Sequence, residues 1–227
     1  MEIIDIQKEF GPTLDRIWKS RPVSCLGRND IVDPRFAIEK SIPKGCDVLF
    51  IGMNPSSVKS QSQYYDPYKI NIDYFEQLRR FCKDLFRKDL CHESWGHHDI
   101  YPIRCTDQKQ LIKVRKYCKK KGKTFFDSLQ DLTKDIIQKV NPKLIVVLNA
   151  GASNIFREMY NINPFPSSSY DTKKGAEIIH INNRDVPVIF SGMLSGQRAL
   201  DIGSRVSLQW HIDKVLHPIS CVPSLPR

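Results

Sequence analysis

Two rhythms of apolar residues alternate along the chain. The first is a short unbroken run, as in Val48-Leu49-Phe50-Ile51 and Leu144-Ile145-Val146-Val147-Leu148, with no polar residue to mark a solvent face. Such runs predict strands buried on both sides, as in a parallel sheet covered by helices. They place strands over 47–51 and 143–148, and a short second strand is expected over 98–103. Residues 177–181 and 186–190 flank Asn182-Asn183-Arg184-Asp185, which predicts a hairpin or edge strand beside a last core strand.

The second rhythm is the three-to-four-residue spacing of a helix. Ile4, Phe10, Leu14, Ile17 and Trp18 predict one or two short helices, with Gly11-Pro12 as the break. Phe75, Leu78, Phe81, Cys82 and Leu85 predict a helix that starts near Tyr74 behind Asn71 or Asp73 as cap. Phe126, Leu129, Leu132, Ile136 and Val140 give another, stopped by Asn141-Pro142. A helix is expected from Ser153 or Asn154, and a last amphipathic one carries Ala199, Ile202, Val206, Leu208, Ile212 and Val215. Residues 21–44 hold three prolines and read as extended loop, and 161–175 form a Pro/Ser-rich loop.

Strand and helix in alternation predict an α/β protein: three layers, α/β/α, around a mostly parallel four-stranded sheet. The 227 residues suit one domain over 1–227, with 1–44 as an N-terminal helical and loop extension and 218–227 as a loose tail. No internal repeat is visible.

Composition narrows the class. Hydrophobic residues make up 41% and charged residues 26%, enough for a sizeable core. No apolar run approaches the roughly 20 residues that span a bilayer, and the start Met1-Glu2-Ile3-Ile4-Asp5 lacks the basic-then-apolar order of a secretion signal. Seven cysteines, an odd number with no Cys-x-x-Cys pair, fit neither a disulfide framework nor a zinc ribbon. The expectation is a soluble monomer in a reducing compartment, cytoplasm or nucleus, with no membrane partner.

Charge changes the picture most. A net +10, from 35 basic and 25 acidic residues, draws polyanions, of which nucleic acid is the commonest soluble one. Eight basic residues between Lys109 and Lys123 meet no acid. They form either a solvated basic face or a contact to phosphates.

Candidate chemistry gathers where the predicted strands end. Gly52-Met53-Asn54-Pro55-Ser56-Ser57 follows the first run, Asn149 follows the 143–148 strand, and Met193-Leu194-Ser195-Gly196-Gln197-Arg198 follows the last. Parallel strands end on one edge, where open α/β sheets place their ligands. An asparagine amide carries a donor and an acceptor, which suits reading a base edge, and Tyr64, Tyr65 and Tyr68 offer aromatic faces for stacking. The plainer readings are an Asn-Pro turn at Asn54, a helix cap at Asn149, and an Arg198–Asp201 surface pair. His97 and His98 are adjacent, so on a strand they face opposite ways and do not share a metal. No metal or cofactor is expected. Asp99, near the end of the second strand, could line the same pocket.

These motifs resemble those of the uracil-DNA glycosylase superfamily, over about Asp47 to Trp210. Gly52-Met53-Asn54-Pro55 is similar to the first motif of its single-strand-selective and mismatch-specific branches. The resemblance implies a uracil-DNA-glycosylase-like fold in which Asn54 holds the attacking water as the catalytic residue. Gly52, Met53, Asn149 and Tyr65 or Tyr68 would bind the extruded base, with Asn149 on its edge. Ser56, Ser57, Ser195, Gly196, Gln197 and Arg198 would bind DNA. The implied activity is excision of uracil or a related damaged base by hydrolysis of the N-glycosidic bond, with DNA as partner. Two departures stand out. Met193-Leu194 replaces the His-Pro or Asn-Pro of the second motif, and no aspartate follows Gly52-Met53. Competing readings are a catalytically silent DNA-binding module of the same fold and a small-molecule enzyme acting on nucleotides. The second lacks any glycine-rich phosphate motif to support it.

Overall fold

In the computed structural model the described residues are 2–21, 36–55, 62–86, 94–163, 167–196 and 199–218. In chain order they form β1 (Ile3–Asp5), α1 (Ile6–Lys19), β2 (Ile38–Glu39), β3 (Ser41–Pro43), β4 (Val48–Gly52), β5 (Tyr64–Tyr65), α2 (Asp73–Phe86) and β6 (Trp95–Asp99). Then follow α3 (Gln108–Lys120), α4 (Phe125–Val140), β7 (Leu144–Leu148), α5 (Ala150–Met159), β8 (Tyr170–Asp171), β9 (Ala176–Ile181), β10 (Arg184–Ser191) and α6 (Ile202–Leu216).

The main sheet is mixed and has six strands, where a four-stranded sheet was expected. β6, β4, β7 and β10 are neighbours and run parallel. β9 and β8 extend the β10 edge antiparallel. The β9–β10 hairpin turns on Asn182 and Asn183 at φ 51° and 61°, the left-handed pair that matches strand twist in a two-residue loop. β8 is a short strand inside the stretch predicted as loop.

Strand alternation sends side chains to two cores. Leu49, Ile51, Ile145 and Val147 pack under α1, α3, α4 and α5, while Val48, Phe50, Leu144 and Val146 pack under α2 and α6. The N-terminal residues join the first core through Ile4, Ile6, Leu14, Trp18, Ile38 and Ile42. Part of the predicted 21–44 loop is therefore sheet: β3 pairs with β1, and β2 with β5.

Two helices differ from expectation. α1 runs through Gly11-Pro12 unbroken. Pro12 is exposed, and so is Lys8, whose carbonyl loses its usual donor, so water can satisfy it. Gly11 serves packing instead, since a Cβ there would lie 2.9 Å from the Tyr64 hydroxyl. On α6 the apolar residues do not form one stripe. Leu208 and Ile212 are buried, but Ile202 is 83% and Val206 57% exposed. At 100° per residue those two pairs lie more than 100° apart around the helix.

β6 carries two histidines to opposite faces, and both are buried. His98 Nδ1 lies 2.6 Å from Glu39 Oε1 on β2, and its Nε2 lies 3.1 Å from Thr133 Oγ1 on α4. The Thr133 hydroxyl donates to the Ile100 carbonyl at 3.0 Å, so His98 Nε2 carries a proton and donates to Thr133. Glu39 and His98 thus form a fully buried pair. Removing one partner of such a pair costs about 3 to 5 kcal/mol, because the other keeps its desolvation penalty. Glu39→Ala is expected to lower the unfolding free energy by about that much in urea titrations, and Glu39→Gln by less.

Candidate functional site

The parallel register brings the ends of β4, β6, β7 and β10 to one edge, beside the N-terminus of α2. A cavity of about 930 Å³ opens there. Gly52, Met53, Asn54, Tyr65, Asn149, Met193, Ser195 and Gly196 all line it, so the three predicted strand ends do converge. Ser56, Ser57, Gln197 and Arg198 lie outside the described residues. Tyr68 does not reach the cavity. It stacks edge-on to Trp95 at 4.7 Å and donates to the Trp95 carbonyl at 2.6 Å, so its hydroxyl and ring are committed to the fold.

Asn54 is held by its amide nitrogen. Nδ2 faces three carbonyl oxygens, those of Pro55, Ile103 and Cys105, at 3.0, 3.1 and 2.7 Å. The chain around Asn54 is also bonded to the 100–105 segment through the Ile100, Tyr101 and Cys105 amides, which donate to Gly52, Met53 and Pro55. Three acceptors around one amide fix which atom is nitrogen, since a flip would set oxygen against oxygen. Among the described residues Oδ1 has no hydrogen-bond partner, although it is buried. A buried acceptor left alone costs about 1 to 3 kcal/mol, so this oxygen is poised to take a proton donor.

The residue the motifs did not assign is Asp99. Pairing of β4 with β6 sets it directly beside Gly52. A Cβ on residue 52 would lie 2.1 Å from Asp99 Oδ1, so only glycine leaves room for the carboxyl. A carboxyl group thus stands beside Gly52, brought there by the neighbouring strand. The cross-strand position was the obstacle, because register between separate strands is not written in local sequence.

Burial pushes the Asp99 carboxyl up to about 7, with the nearby Glu39 charge adding to the rise and His98 and the Tyr65 hydroxyl opposing it. The Tyr65 hydroxyl donates to Asp99 Oδ2 at 3.4 Å, and burial first, then the Asp99 and Glu39 charges, raise its own pKa. It therefore stays protonated. Tyr74 shares the same fate by burial, and its hydroxyl lies 3.1 Å from His97 Nε2. His97 is driven down to about 3 by burial, with His98 adding to the fall, so it is neutral and its 3.9 Å approach to Asp99 is no ion pair. The Phe75 ring, 5.4 Å from Tyr65, lines the cavity as an apolar wall.

Asn149 caps α5: its Oδ1 accepts from the Ala152 amide at 2.8 Å, so the helix begins at Ala150, ahead of the expected start. Its backbone is unusual, with φ 76° and ψ 155°, a region occupied almost only by glycine and costing about 1 to 3 kcal/mol otherwise. Glycine would relieve that strain and cap within a few tenths of a kcal/mol of asparagine. What only asparagine adds is an NH2 group, on a residue that lines the cavity.

Leu194 is a core residue, while its neighbour Met193 lines the cavity. Among the described residues no cluster of three His, Cys, Asp or Glu side chains is placed to hold a metal ion, and no helix is long and apolar enough to cross a membrane. No protein-family model matches the chain, and no curated protein matches it.

Two stability measurements check this geometry. Gly52→Ala is expected to cost about 1 to 3 kcal/mol by overpacking. Most of that loss should disappear in the Asp99→Ala background if the carboxyl is what the methyl meets. The second is pH dependence. The unfolded chain releases the Asp99 proton near 3.8, whereas the folded chain holds it to about 7. The folded state thus binds more protons between those values, and stability falls as pH rises through about 7. Each tenfold change in acidity is worth about 1.4 kcal/mol, so ionised Asp99 costs the fold up to about 4 kcal/mol. Asp99→Asn is expected to be the more stable protein at pH 8, with the difference shrinking toward zero near pH 4 in urea melts at each pH.

Proposed function

We propose that this protein is a DNA glycosylase with a uracil-DNA-glycosylase-like site, which takes a damaged or deaminated base into the cavity and hydrolyses its N-glycosidic bond. The observation that carries the reading is that one cavity is lined by two groups: Asn54, whose buried Oδ1 has no partner among the described residues, and Asp99, whose carboxyl burial pushes up to about 7. Asn54 Oδ1 accepts a hydrogen bond from the attacking water, and ionised Asp99 accepts its proton. The water oxygen bonds to C1′ of the sugar while the C1′–N bond breaks, and that electron pair leaves with the base. The Asn149 NH2 group donates to the base edge and stabilises the charge that develops there. Tyr65 and Phe75 supply the apolar wall against which the extruded base packs.

The +10 net charge supports DNA as partner. The buried free thiols of Cys46 and Cys105 support a reducing compartment, cytoplasm or nucleus, where the protein acts as a monomer. Met193 favours a second reading, a silent DNA-binding module, since a thioether can neither protonate nor donate to a leaving base.

Oligonucleotides carrying uracil, hydroxymethyluracil, hypoxanthine or xanthine, followed by alkaline cleavage of abasic sites, decide between them. The wild-type single-turnover rate is expected to rise with pH and level off above about 7. Asn54→Ala and Asp99→Asn should each lose roughly 100- to 10,000-fold. Asn149→Gly should lose activity while gaining about 1 kcal/mol of stability, separating its cavity role from its cap. Damage-dependent binding with no product from any substrate would instead identify the silent module.

A further inference from the structure

The chemistry of the cavity makes no use of α3, whose surface is organised. Lys109, Lys113, Lys116 and Lys120 stand four, three and four residues apart, within an arc of about 60° at 100° per residue. The buried residues Leu111, Val114 and Cys118 face the opposite way. Arg115 and Lys119 turn aside to Glu158 on α5, each at 2.7 Å. The four lysines are all exposed, and none is in an ion pair among the described residues. No acid occurs between Asp107 and Asp127 to neutralise them. Lys109 lines the mouth of the cavity, so the row starts there and runs about 16 Å away from it.

We propose that this row is a phosphate rail, which binds the sugar–phosphate backbone of the DNA strand whose base enters the cavity. The proposal rests on the reading of the cavity as a base-excision site, because that reading supplies the strand. A compact anion is held by donors that converge on one point, and these four ammonium groups instead follow a line. A linear polyanion with regularly spaced charges is the partner that a line of cations complements. Lysine stems are long and flexible, so each ammonium can reach a phosphate without fixing base sequence. The rail therefore adds affinity and holds the strand at the cavity mouth, and carries no sequence information.

Salt-dependent binding tests it, with the full chain and an undamaged single-stranded oligonucleotide of about 20 nucleotides, long enough to span the roughly 16 Å row. Each phosphate contact on a single strand contributes a slope of about −0.7 to log K against log salt. Lys113→Gln/Lys116→Gln should therefore flatten the slope by about 1.4. Lys8→Gln/Lys19→Gln, which removes the same charge from the exposed face of α1, should leave the slope unchanged. An unaltered slope in the α3 variant, an equal loss in both variants, or no binding by wild type would overturn the rail. The two ideas fail separately. Base excision that depends on Asp99 with an unaltered α3 slope leaves the glycosylase reading standing without the rail. A flattened slope with no excision of any base leaves the rail without that chemistry.

Discussion

The site depends on a carboxyl group that occupies the space where residue 52 has no side chain. β4 and β6 pair in parallel with both strands buried, and their register sets Gly52 beside Asp99. Because glycine offers only a hydrogen there, Asp99 can lie against the sheet edge with its oxygens near Tyr65 and the cavity. Any larger residue at 52 would force it away. The same placement removes the carboxyl from water, which is why it holds its proton far above the usual carboxylate range.

The surroundings sustain that unfavourable position. Glu39 and His98 form a buried pair behind the sheet edge, and their two charges act on Asp99 in opposite directions. Tyr65 is carried to Asp99 by the β2–β5 pairing, whose other member is the strand that holds Glu39. His97, adjacent to His98 in sequence but on the other face, contributes no charge. Strain gathers here too, in the backbone of Asn149 and the oxygen of Asn54 that has no partner among the described residues. Such costs persist only where the rest of the structure outweighs them, and two continuous cores flank the sheet to do so.

Local pattern carried much of the fold. The runs at β4 and β7 are apolar throughout because helices cover both of their faces, and the α4 spacing matches the face it buries. The convergence of Asn54, Asn149 and Ser195 was legible as well, since parallel strands must end together. What escaped was set by tertiary context. Pro12 is tolerated because its lost hydrogen bond faces solvent, and the apolar residues of α6 divide between two faces. Tyr68 was a candidate for stacking by composition, but Trp95 claims it. Asp99 was visible near a strand end, yet its role depends on pairing with a strand more than forty residues away.

The most direct measurement is the titration of the Asp99 carboxyl carbon by ¹³C NMR, assigned by the signal missing from Asp99→Asn. A midpoint near 7 is expected if the carboxyl is buried beside Gly52. A midpoint near the ordinary 3.8 would place the carboxyl in water and contradict the site as described.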